Sequence, residues 1–242
     1  VQHTRIWQGW RWALLKPDGA MYRDIARQGF PASLNMLTVA LGIFVITWFI
    51  GRFSKEGGAA YGIATRVEQI FLLPTIGLNI SLLSITGQNN GAKQFSRIRE
   101  ALKLTLKYGL TMMSLSGVIV FFAGEFMMSL FTKDLAVKRI GSEYLRIAAL
   151  TMCSYVILFQ TVFMLQGLKR PLYGLWVGLY RQIVAPWLVF WLLAFQLGWE
   201  LRGIWWGIFL VTWSAALFML WFGRWKLRRV EEAATQSANV PP

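Results

Sequence analysis

Six apolar runs follow one another along this chain, each near the ~20 residues that a helix needs to cross the hydrocarbon core of a bilayer. They extend from Pro31 to about Gly51, and over Ala59–Thr86, Leu104–Phe122, Tyr144–Leu168, Leu172–Leu197 and Gly203–Gly223. In lipid every backbone N–H and C=O must find its partner inside the protein, which leaves helices or a closed barrel. Runs this long, without strict apolar/polar alternation, predict helices. The expected fold class is an all-α integral membrane protein, a six-transmembrane-helix bundle.

Composition agrees. Of 242 residues, 56% are hydrophobic and only 15% charged, with a mean hydropathy of +0.47, against about 25% charged in a soluble domain. The net charge of +14 does not indicate nucleic acid, because the cations sit between apolar runs. The anionic leaflet of a bilayer is the fitting partner. A single cysteine, Cys153, lies in an apolar run and excludes a disulfide framework within the chain. His3 is the one histidine, so neither a metal-ligand cluster nor a Ser/His/Asp or Cys/His catalytic grouping is present. Nothing here predicts an enzyme or a cofactor.

Three segments follow. Residues 1–30 mix Trp7, Trp10 and Trp12 with five cations, a composition suited to the membrane interface. Residues 31–223 form the helical lobe, with Pro31 expected at the first turn of its first helix. Residues 224–242, basic and then polar, read as a disordered tail. The sequence opens at Val1 without a cleavable signal pattern and reads as part of something longer.

Cations fix the orientation. Arg5, Arg11, Lys16, Arg23, Arg27, Lys93, Arg97, Arg99, Lys103, Lys107, Lys169, Arg170, Arg224, Lys226, Arg228 and Arg229 fall on one side. Arg52, Lys55, Lys133, Lys138, Arg139 and Arg202 fall on the other. The positive-inside rule therefore places both termini in the cytoplasm, most simply at a bacterial inner membrane.

The most informative stretch is Tyr61–Lys93, YGIATRVEQIFLLPTIGLNISLLSITGQNNGAK. On a helix, Tyr61, Thr65, Glu68, Leu72, Thr75, Asn79 and Thr86 make one narrow, mostly polar stripe. A carboxyl at membrane depth costs roughly 2.5–3.5 kcal/mol, so Glu68 should face a protein interior or a wet cavity. The stripe reads as the wall of a solute pathway. The basic segment Lys93–Lys107 reads as a short helix lying on the membrane surface.

FPASLNML at Phe30–Leu37, IATRVEQIFLLPTIGLNISLLSITGQNNGAK, and LQGLKRPL at Leu165–Leu172 resemble the C-terminal half of a MATE (multidrug and toxic compound extrusion) transporter. The resemblance runs from about Arg23 to Trp225. It implies two six-helix lobes flanking a cleft that opens alternately to each side, with this chain as the second lobe and an N-terminal lobe as its partner. It further implies export of small amphipathic or cationic compounds against an inward flow of H+ or Na+. Some members carry coupling carboxylates in the first and fourth helices of this lobe. Those positions fall near Thr38 and Tyr155 here, so the sequence departs from that pattern and resembles the branch coupled mainly through the first lobe. Glu68 is the one acidic residue well inside a span.

Candidate pathway residues are Glu68, Asn35, Thr38, Thr75, Asn79, Tyr155 and Gln160. A carboxyl held away from water can exchange a proton between two cavity states; the alternative for Glu68 is a hydrogen bond between helices. The polar side chains can equally bond across helices for about 0.6 kcal/mol each. Arg181 is expected to snorkel to the cytoplasmic headgroups or to pair with a carboxylate. Two rival functions stay open: a flippase for a lipid or lipid-linked saccharide, and a membrane scaffold that transports nothing.

Overall fold

The computed structural model describes residues 19–238, apart from a few side chains near its two ends, Asn35 among them. The described residues form six helices: α1 (Gly19–Ile50), α2 (Lys55–Gly91), α3 (Phe95–Ser129), α4 (Leu135–Gly167), α5 (Leu172–Gln196) and α6 (Glu200–Ala238). The helices α2 to α6 are long and apolar enough to cross a membrane; in α1 the apolar run is Leu37–Ile50. At 1.5 Å per residue, α2 is about 55 Å long. That exceeds the ~30 Å hydrocarbon layer, so it tilts or carries its ends beyond it.

Local signals start and stop these helices. The Ser54 hydroxyl accepts from the Gly57 N–H at 3.0 Å and caps α2. Asp134 does the same for α4, accepting from Ala136 and Val137 at 2.8 and 3.2 Å. The turns after α2 and α4 close alike: the Gln94 N–H reaches the Asn89 carbonyl at 2.8 Å, and the Arg170 N–H reaches Leu165 at 2.9 Å. In both, the left-handed position belongs to a lysine, Lys93 (φ 55) and Lys169 (φ 59), where glycine is usual.

The centre of the bundle is α4, buried along most of its length and packed against α2, α3 and α6. Small residues let α3 approach it. At Gly117 a Cβ would stand 2.9 Å from the Ala149 carbonyl oxygen, so the backbones touch there. Meanwhile α1 packs chiefly on α5, and α5 in turn on α6. A gap remains where α1, α2, α4, α5 and α6 meet.

Three expectations change. Pro31 lies inside α1 instead of opening it; the helix gives up one backbone bond, that of the Arg27 carbonyl, and continues. The segment Lys93–Lys107 is no separate surface helix. From Phe95 it is the first part of α3, and Phe95, Ile98 and Leu102 are buried in the protein. The segment after Arg224 is helical to Ala238, because it contains no Gly or Pro, buries Leu227, and ties Glu231 to Arg99. In addition, α5 contains two π-helical turns, Tyr180–Val184 and Trp191–Gln196. The first precedes Pro186, which has no N–H to offer the Gln182 carbonyl. Widening the turn, with Ala185 N–H bonded to Tyr180, makes room for the ring.

Candidate functional site

The polar stripe of α2 divides at Pro74. Above it, Tyr61, Thr65, Glu68, Gln69 and Leu72 line a cavity of about 200 Å³. The other walls are Val39, Ile43 and Ile46 of α1, Tyr144, Tyr155 and Phe159 of α4, Arg181, Gln182, Pro186 and Phe190 of α5, and Ile208, Val211 and Thr212 of α6. Gln69, exposed, carries the wall to the surface of the lobe. Below Pro74 the stripe turns into packing: Thr75, Asn79 and Thr86 are buried and absent from the cavity wall. The Thr75 hydroxyl folds back onto its own helix, donating to the Leu72 carbonyl at 2.7 Å.

Glu68 is 5% exposed. Its Oε2 accepts from Tyr144 Oη at 2.9 Å, while Oε1 has no hydrogen-bond partner among the described residues. Tyr155 lies beside the carboxylate. The Arg181 guanidinium sits over the rings of Tyr155 and Phe159, 5.7 and 5.9 Å from their centroids, and acts on Glu68 electrostatically. It therefore lines the cavity. Arg66, two residues from Glu68, is exposed on the other side of α2. A buried carboxyl and a cation thus line one small cavity whose wall reaches the surface at Gln69.

Three rings close the cavity toward the N-terminal ends of α2, α4 and α6. Tyr61 stacks on Trp205 at 5.9 Å, and Tyr144 meets both edge-on at 5.3 and 4.9 Å. Trp205 is 1% exposed.

The other candidates divide. Tyr155 lines the cavity. Thr38 is buried one residue before the wall residue Val39 and is not itself on the wall. Gln160 is fully buried away from the cavity, with neither amide atom bonded among the described residues; Asn79 Oδ1 and Thr86 Oγ1 share that state. The Asn35 side chain lies outside the described residues. Sequence reasoning missed Tyr144, although Tyr144, Thr151 and Tyr155 recur at seven and four along α4 and so share its face. It also missed Gln182, which fits only because residue 42 is glycine: a Cβ there would come within 2.2 Å of Gln182 Oε1. Among the described residues no group of His, Cys, Asp and Glu could hold a metal ion.

Comparison with known proteins follows the same outline. The MatE family model matches residues 31–191. A FAD transporter of Shewanella oneidensis is 31% identical over 170 residues, covering 68% of this chain and 36% of its own length. A probable multidrug resistance protein NorM of Pseudomonas syringae pv. tomato is 28% identical over 239 residues, 94% of this chain and 51% of that protein. The outward-facing structure of a multidrug resistance MATE family transporter of the MOP superfamily aligns with a TM-score of 0.84 at 21% identity, over 90% of this chain and 49% of that one. The chain thus spans about a third to a half of the length of these proteins.

Proposed function

We propose, from the premise that this chain belongs to the MATE family of membrane transporters, that it is the second lobe of an ion-coupled exporter in which Glu68 carries the coupling ion. The N-terminal lobe completes the transporter, both termini face the cytoplasm of a bacterial inner membrane, and cargo crosses between the lobes by alternating access. Cargo would be small amphipathic or cationic compounds, as the name of the Pseudomonas relative suggests.

The observation that carries this reading is the Glu68 cavity. At about 200 Å³ it is smaller than the ~300–1,000 Å³ of drug-sized sites, yet roomy enough for several waters at ~30 Å³ each. Its size suits an ion, H+ or Na+, and leaves cargo to the space between lobes. One carboxylate oxygen is held by Tyr144 and the other is open to the ion. Arg181 supplies a counter-charge that is released when Glu68 is neutralised.

The test is drug susceptibility of an efflux-deficient bacterial host expressing the native protein, with and without a proton uncoupler or a sodium ionophore. Glu68→Gln should abolish or strongly reduce efflux at unchanged expression. Wild-type transport by the variant would remove the assignment.

A second reading takes an anionic flavin as cargo. It is favoured by the 31% identity to the FAD transporter. Export of FAD, and not of cationic compounds, from loaded vesicles would select it.

A further inference from the structure

We infer that the groove between the first turns of α3 and the last turns of α6 is a binding site for an anionic phospholipid. The two helices carry matching patterns there. Arg99, Leu102, Lys103 and Leu106 recur at three, four and seven on α3, and Arg224, Leu227, Arg228 and Glu231 at the same spacing on α6. Each pattern puts a leucine between two cations on one face. α3 leaves this end of the bundle where α6 arrives, and Arg99 pairs with Glu231 across the outer end. A groove of about 780 Å³ remains between the helices.

Its chemistry is amphipathic along its length. Leu102, Leu106 and Leu227 are buried at 3, 8 and 3% exposure and form an apolar floor. Lys103, Arg224 and Arg228 stand exposed at the rim, and no ion pair engages them among the described residues. Two carboxylates also border the groove: Glu231 is taken by Arg99, and Glu232 is exposed at the water side. Cations thus outnumber acids at the level where spanning helices emerge from hydrocarbon. A soluble anion would have no use for the leucine floor, and a neutral lipid none for the cations. A phosphate headgroup with its acyl chain directed past Leu106 uses both. The site does not depend on what the protein carries.

The test is native mass spectrometry of the detergent-purified chain with phosphatidylglycerol, cardiolipin or phosphatidylcholine. Wild type should retain phosphatidylglycerol or cardiolipin in preference to phosphatidylcholine. Arg224→Gln with Arg228→Gln should weaken that retention roughly 30-fold, about fivefold for each cation removed. Arg224→Lys with Arg228→Lys should keep it within about threefold, since phospholipid attraction here needs charge more than a planar fork. The pair Lys133→Gln and Arg139→Gln, which removes equal charge at the opposite end, should leave it unchanged. Equal retention by the Gln variant, indifference between phosphatidylcholine and phosphatidylglycerol, or full competition by glycerol 3-phosphate would each overturn the assignment.

Discussion

Tyr144 donates its hydroxyl to Glu68 Oε2 at 2.9 Å, joining α4 to α2 across the wall of the cavity. A phenol both donates and accepts. It can satisfy the carboxylate when Glu68 is charged and accept from the carboxylic acid when Glu68 is neutral. The pair can therefore survive a change of protonation without repacking three buried rings.

That relationship makes the two residues separable by mutation. Glu68→Gln should remove transport and, with it, the dependence of efflux rate on external pH. Tyr144→Phe should retain pH dependence but slow transport. It should also destabilise the fold by about 1–3 kcal/mol, the cost of stripping a buried acceptor of its donor, read as a lower midpoint of thermal unfolding in detergent. A Tyr144→Phe variant as stable and active as wild type would show that the hydrogen bond is idle.

Arg181 should act through Glu68. If its guanidinium balances Glu68, Arg181→Gln alone should impair transport, whereas Arg181→Gln with Glu68→Gln should do no further harm than Glu68→Gln. Contacting residues are expected to be non-additive in this way. Additive losses in a vesicle transport assay would mean that the two act independently.

The division of α2 at Pro74 should be visible to thiol chemistry. In a Cys153→Ser background, Gln69→Cys should react rapidly with a membrane-impermeant maleimide, because Gln69 is exposed on the cavity wall. Asn79→Cys, buried below the proline, should stay unlabelled until the protein is denatured. Equal labelling would place water along the whole stripe.

Packing predictions concern α3 and α6. Gly117→Val forces α3 away from the Ala149 carbonyl and should cost about 1–3 kcal/mol. Leu227→Ala, at a position 3% exposed, should cost about 2–5 kcal/mol. Glu231→Ala breaks a partly exposed ion pair with Arg99 and should cost no more than about 1 kcal/mol. Thermal melts of the three variants test that order.

Much of this was legible in the sequence, since length and hydropathy decide how a chain spans lipid. The runs of α2 to α6 follow from such local signals. So does the burial of Glu68, because a carboxyl between apolar turns can lie nowhere else. What local pattern could not supply is which face meets which helix. Thr65 and Asn79 share one stripe, yet one lines the cavity and the other is packed, a difference set by neighbours far along the chain. Tyr144 is seventy-six residues from Glu68. The helix beyond Arg224 was hidden for a related reason: a polar composition describes an exposed helix as well as a loose tail, and only Leu227 and Glu231 finding partners decides between them.

The two widened turns of α5 have a mechanical corollary. An ordinary turn takes 3.6 residues, so each residue advances the face by about 100°. Were Tyr180–Val184 to tighten into regular geometry, one end of α5 would rotate by about that angle relative to the other, at the cost of the room that the widened turn gives the Pro186 ring. Arg181 and Gln182 stand at that joint, with Pro186 and Phe190 beyond it on the same wall. A twist there would dismantle one side of the chamber while every other helix stood still.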